Sequence, residues 1–198
     1  MKVLKSIFAA AVLAFGAAPA ANAVSFDLTG SGNFSSYDLT SGGLTLTVSP
    51  ASFIDLTNTI IGPDGNDVVT RRSGGTGIDR GFLDGGQIDG RLGNDLLVLT
   101  FDQKVVFNSV TFGAVDGNDD FDLAIDGIFV LEDINIAASN PFLFAAGTMG
   151  TVLGIGADGL NDDFRVKAID VTAIPLPAGF LLLLSGMGAI AFVGRRKA

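Results

Sequence analysis

Along the middle of the chain, apolar and polar residues alternate with a period of two rather than 3.6, and this pattern predicts strands. Gly43–Val48 puts Leu44, Leu46 and Val48 on one face and Thr45 and Thr47 on the other. Leu96–Phe101 is more continuously apolar, as a strand covered on both faces requires. Lys104–Val115 reads as a long strand with a bulge near Asn108. Phe121, Leu123 and Ile125 fall on one face, which points Asp122 outward, and Gly127 turns the chain into Ile128–Leu131. Phe142–Phe144, Val152–Ile155 and Phe164–Val171 complete the set, with clusters of Gly, Asp, Asn and Ser between the runs. No window between Val24 and Ala173 repeats at the helical period. The expected fold is all-β, an antiparallel β-sandwich of jelly-roll type with about eight to ten strands.

The stretch Thr57–Asp95 departs from this pattern. It holds ten glycines and only short apolar islands, Val68-Val69 and Phe82-Leu83. Structureless segments of that length are uncommon in compact domains and tend to be functional. It also carries Arg71, Arg72, Arg80 and Arg91. One reading is a docking loop for a partner. The other is an excursion packed over one sheet, its arginines paired with neighbouring aspartates.

Charge sharpens the picture. The chain has 12 basic and 21 acidic residues, and five of the bases (Lys2, Lys5, Arg195, Arg196, Lys197) lie near the ends while every acid lies between. Seven bases against 21 acids leave the central region at −14. A surface of that sign repels nucleic acid and anionic lipid. Glu132 is the single Glu among the acids. Asp favours turns and caps where Glu favours helices, in keeping with many short strands. The chain has no Cys and no His, which removes disulfides, Cys-His and Ser-His-Asp triads, and His-ligated zinc. It has no Trp and one Tyr, so a Trp platform for sugar rings is missing, and its 16 Phe residues read as core. Composition therefore argues against an enzyme. Hydrolysis by two carboxylates in a cleft stays open as the alternative, since Asp is abundant.

One internal repeat concentrates the candidate chemistry. Ala114-Val-Asp-Gly-Asn-Asp-Asp-Phe121 recurs as Gly156-Ala-Asp-Gly-Leu-Asn-Asp-Asp-Phe164, with one residue inserted. Two equivalent hairpins in one sandwich would explain it, with Phe121 and Phe164 in matching core positions. Asp116, Asn118, Asp119 and Asp120 in one turn, and Asp158, Asn161, Asp162 and Asp163 in the other, supply the hard oxygen ligands that calcium takes in loops. The spacing is not that of an EF-hand. Asx residues at a turn also cap their own backbone without any metal, so both readings stand.

The two ends carry a route rather than a fold. Lys2 and Lys5, the apolar run Ile7–Phe15 and the small residues Ala17–Ala23 form the three parts of a secretory signal peptide, which predicts cleavage by signal peptidase before Val24. At the other end, Ala178–Val193 is uncharged and is followed by Arg195, Arg196 and Lys197. A helix over those residues would reach about 24 Å, close to a membrane span, with the basic cluster as a cytoplasmic stop. Before it stand Ile174, Pro175, Leu176, Pro177 and Ala178. This tail resembles the PEP-CTERM class of bacterial sorting signals, in its VPLPA variant, with Ile174 where that variant has Val. The resemblance covers residues 174–198 and implies export, membrane retention and handling by an exosortase-type enzyme.

The chain thus divides into a signal peptide (1–23), a β-sandwich domain (24–173) and a sorting signal with a transmembrane helix and basic tail (174–198). The expected role is that of a structural or adhesive component of the cell surface or a biofilm-type matrix. Its expected partners are the sorting enzyme, the membrane and a polysaccharide matrix, with calcium as the one candidate ion. The alternative is a secreted carbohydrate-binding module or hydrolase.

Overall fold

A computed structural model describes residues 22–63 and 67–174, and the compact unit within it runs Asn22–Ala173. The expected signal peptide up to residue 21, the motif residues Pro175–Ala178, the transmembrane helix and the basic stop lie outside the described residues. Among the described residues no helix is long and apolar enough to cross a membrane.

Fourteen strands form the domain. They are β1 (Ala23–Asp27), β2 (Gly32–Phe34), β3 (Tyr37–Ser41), β4 (Leu44–Ile54), β5 (Thr59–Ile61), β6 (Val68–Arg72) and β7 (Gly75–Asp79). Then follow β8 (Ile88–Asp89), β9 (Asn94–Gly113), β10 (Asp120–Ile125), β11 (Ile128–Asn135), β12 (Phe142–Leu143), β13 (Met149–Ala157) and β14 (Asp163–Ala173). A 3-10 turn, Asp55–Thr57, joins β4 to β5. All pairings are antiparallel, and the strands belong to one continuous sheet whose main path is β11-β10-β13-β9-β14-β7-β6-β2.

The 20-residue strand β9 is the longest of the sheet and ties most of its parts together. Its first half pairs with β4 on one side and β13 on the other, and its second half pairs with β14 and the short β12. The two expected strands Leu96–Phe101 and Lys104–Val115 are therefore one strand. The bulge expected near Asn108 is present: Ser109 and Phe107 face the consecutive residues Asp170 and Val171, so Asn108 is the extra residue.

The buried side chains of these strands form one main core. Leu44, Leu46 and Val48 of β4 are fully buried there, as the alternation predicts, beside Phe101, Phe107, Phe112, Phe121 and Phe164. A smaller cluster of Ala51, Phe53 and Leu96 sits on the opposite face, covered by Ile60, Val98 and Phe129. That second cluster overturns the expectation for Asp122. Its side of β10 is not open to water, and Asp122 is only 4% exposed.

Thr57–Asp95 is not structureless. It contains β5, β6, β7 and β8, and β6 and β7 pair along their whole length. Glycine is needed there for close approach rather than for freedom: a Cβ at Gly77 would strike the backbone of Gly86 and Gln87, which lie across β7. Strands in this region are short and Gly-rich, so the period-two pattern is too weak to announce them.

The repeat does not form two hairpins. β9 leads to β10, and β13 leads to β14, yet the spatial order is β10-β13-β9-β14, so each connection steps over a strand of the other pair. The two copies are interlocked arches. Phe121 and Phe164 do take matching places, both packing on Phe112 with ring centroids 4.8 and 5.5 Å away.

Candidate functional site

The two arches meet through a reciprocal set of hydrogen bonds. Within its own turn, Asp119 Oδ2 accepts the N–H of Asp116 at 2.6 Å, and Asp162 Oδ2 accepts that of Gly159 at 3.0 Å. Across the pair, Asp119 Oδ1 accepts the N–H of Asp163 at 3.0 Å, and Asp162 Oδ1 accepts that of Asp120 at 3.2 Å. The side-chain amide of Asn118 donates to the carbonyl of Asn161 at 2.8 Å, and the amide of Asn161 donates back to Asn118 at 3.5 Å. Each Asn-Asp-Asp triplet thus does the same work for the other, about a local twofold axis. Asp119 is fully buried and Asp162 is 5% exposed, so these bonds supply the partners that two buried carboxylates require.

Of the eight candidate calcium ligands, Asp116, Asp119 and Asp163 converge, with carboxylate oxygens within 4.8 Å of one another. The set fits a hard cation: three carboxylates of one sign, one exposed, one intermediate and one buried. Burial, and then the charges of Asp119 and Asp116, push the Asp163 carboxyl above its ordinary value, the strain a cation would relieve. Asp116 also accepts the N–H of Asn118 at 3.0 Å. The contacts of the other five candidates are these. Asp120 and Asp162 face each other across the arches, Asn118 and Asn161 spend their amides on each other's carbonyls, and Asp158 turns to Asp55.

That last contact belongs to a second acidic group, which the sequence pattern did not reveal. Asp55 of the 3-10 turn, Asp122 of β10, Asp133 of β11 and Asp158 gather around the smaller cluster. Burial raises the Asp122 carboxyl to about 7, opposed by the N–H of Asp133 and reinforced by the charges of Asp158, Asp133 and Glu132. Burial also raises Asp158, with the charges of Asp55 and Asp133 acting in the same sense. The amide of Asn58 donates to Glu132 at 2.6 Å, and Phe53 packs on Phe129 at 4.9 Å. Together these contacts fasten the β4–β5 connection over β11. No single-residue signal could have found the group, because its members come from four separated segments.

Beside the smaller cluster runs an open groove of about 640 Å³. Leu96, Val98, Ala124, Val152 and Gly154 line it with apolar surface, and Asn58, Thr59, Asp126 and Gly127 add polar groups. Its single acid is Asp126, whose Oδ1 already accepts the N–H groups of Thr151 and Val152 at 2.8 and 2.9 Å.

The arginines divide in two. Arg80 meets the expectation of local pairing: its Nε donates to Asp95 Oδ1 at 2.5 Å, the one ion pair among the described residues. Asp95 is fully buried, and burial raises its carboxyl to about 7 against the pull of the Asp89 N–H and Arg80. Arg71 and Arg72 bond neutral acceptors instead, on the Thr29–Asn33 segment and on the backbone of Arg71 itself.

No protein-family model matches this chain, and no curated protein or solved structure matches it.

Proposed function

We propose that this chain is an exported structural or adhesive protein of the cell surface or extracellular matrix, delivered by its tail through an exosortase-type system. One observation carries the case for a structural role. The most acid-rich and repeated motif of the chain uses its buried carboxylates to hold two arches together, and both oxygens of Asp119 and Asp162 serve backbone donors. The single acid in the groove is likewise spent on backbone. These three carboxylates are thus committed to the scaffold, as expected of a protein whose product is its own shape. On this reading the continuous sheet is the jelly-roll-type sandwich of the sequence analysis. Calcium held by Asp116, Asp119 and Asp163 would brace the arches rather than catalyse.

The intact mass of the protein from its native host, cells and medium measured separately, tests the route. A released species that begins at Val24 and ends near Pro175-Leu-Pro177 supports sorting and release. A species found only in membranes and retaining Arg195–Lys197 replaces release with a permanent anchor. A cytoplasmic species with an intact N-terminus overturns the proposal.

The groove favours a second reading, a carbohydrate-binding module. Its volume suits a small ligand, and its apolar floor with polar walls is the ordinary make-up of a binding site.

A further inference from the structure

Four of the seven basic residues of the central region, Arg71, Arg72, Arg165 and Lys167, lie together on β6 and β14, with the β6–β7 turn between them. Arg72 stands opposite Gly75 in the register, and a Cβ at Gly75 would lie 3.1 Å from the Lys167 Cα. One at Gly74 would lie 3.7 Å from the Arg165 Cδ.

Among the described residues, no hydrogen bond or ion pair joins any of the four to a carboxylate. Arg72 donates to the carbonyls of Gly32 and Arg71 and to Asn33 Oδ1, at 3.1, 2.8 and 3.0 Å. Arg165 is only 8% exposed, and donates to Thr70 Oγ1 at 3.1 Å and the Gly85 carbonyl at 3.3 Å. Arg71 donates to the Thr29 carbonyl and lies 4.7 Å over the Tyr37 ring, while its buried Nε–H has no acceptor. Every one of these acceptors is neutral. In a chain with 21 acids, that is a marked avoidance of the commonest counter-charge.

Two acids lie near enough to be felt. Asp27, itself exposed and bonded to the Thr29 N–H, is drawn down partly by Arg71 and Lys167, and Asp84 acts on Arg165. Asp84 already serves the N–H groups of Arg80 and Gly86. Burial and then the charge of Arg72 depress Arg165, against the opposing pull of Asp84.

We propose that this patch is a binding site for an anionic polysaccharide, with exposed Arg72 and Lys167 gripping its carboxylate or sulfate groups and Arg71 and Arg165 supplying charge from behind. The spread of the four residues over two strands suits a chain with repeated charges better than one small anion. The glycine turn Gly74-Gly75 offers no side chains to hold that chain off the backbone. An overall charge of −14 opposes binding at long range, so the polymer is held by the short-range contacts of the patch, and these are what salt weakens. The inference rests on the charges of this face alone and stands whether or not the chain is exported.

Affinity electrophoresis of the 24–173 region in its full-chain context, in gels containing polygalacturonate, dextran sulfate or neutral dextran, tests it. Retardation by one or both anionic polymers, absent with neutral dextran and fading with salt, is the expected result. The two anionic arms separate carboxylate from sulfate as the recognised group. Arg72→Glu with Lys167→Glu should weaken retention about tenfold or more, the loss of two charge-assisted contacts. Arg91→Glu with Lys104→Glu, an equal change of net charge away from the patch, should leave most of it. If the first pair perturbs folding, Arg72→Gln with Lys167→Gln makes the same comparison without new acids. No retardation by either polymer overturns the proposal, as does equal loss in the two pairs of variants.

Discussion

Asp119 and Asp162 hold each other's turns: each carboxylate accepts an N–H from its own turn and one from the residue that follows its counterpart. Replacing either with Ala takes the protein acceptor away from two backbone donors. Each single variant should lose about 2–4 kcal/mol, at roughly 1–2 kcal/mol per orphaned group. Because both serve one joint, the double variant should lose less than the sum of the singles. Urea unfolding of the four proteins of the cycle checks both points, and strict additivity would mean that the arches are independent.

Acid should stabilise part of this fold. The Asp122 carboxyl sits near 7 in the folded protein against an ordinary 3.8, so the native state binds its proton more tightly than the unfolded chain does. That contribution is complete below about pH 4 and is lost as pH rises through about 7, reaching about 2–4 kcal/mol by the ordinary linkage relation. Asp122→Asn should therefore be more stable than the parent at pH 8, and the difference should shrink or reverse near pH 4. Thermal melts across that window decide it; a parent and variant that track each other at all pH values would remove the effect.

Calcium makes a separable prediction. If Asp116, Asp119 and Asp163 hold it, millimolar calcium should raise Tm and a chelator should lower it, because a ligand bound only by the folded state stabilises it by about 2.7 kcal/mol at a hundredfold excess over Kd. Asp116→Asn, an exposed change, should abolish the response with little effect on the metal-free protein. A Tm indifferent to both calcium and chelator rules out the ion at this site.

Close packing of the outer face rests on Gly156. A Cβ there would come 2.7 Å from Phe53 Cε1 and 2.8 Å from the Asp95 carbonyl. Gly156→Ala should cost about 1–3 kcal/mol as an overpacking change. Loss of protection in β5 by hydrogen exchange, ahead of the main core, would locate the damage in the β4–β5 connection.

How much of this was legible beforehand follows from range. Leu44, Leu46 and Val48 announce their buried face because alternation is a local property, and the bulge at Asn108 is written in the same strand. Phe121 and Phe164 could be matched because the repeat itself is visible. Asp122 could not be placed, since its burial and its neighbours Asp133 and Asp158 depend on segments distant in the chain, on the face that alternation assigns to water. The arches could not be told from hairpins, because a turn's residues do not say which strands it joins. The strands of Thr57–Asp95 were hidden by glycines present for close backbone approach, which remove the side chains a pattern needs.

The pairing of β1 with β14 brings the first and last strands of the domain together, Ala23 opposite Thr172, with the N–H of Ala173 on the carbonyl of Asn22 at 3.3 Å. That adjacency fixes how the domain bears load. Pulled between its two ends, it would open like a zipper, β1 leaving β14 one rung at a time at low force. Held by its C-terminal end alone, with the load on the body, it would resist in shear. β14 is flanked by β9 along one edge and by β1, β7 and β8 along the other, and those rungs must give way together.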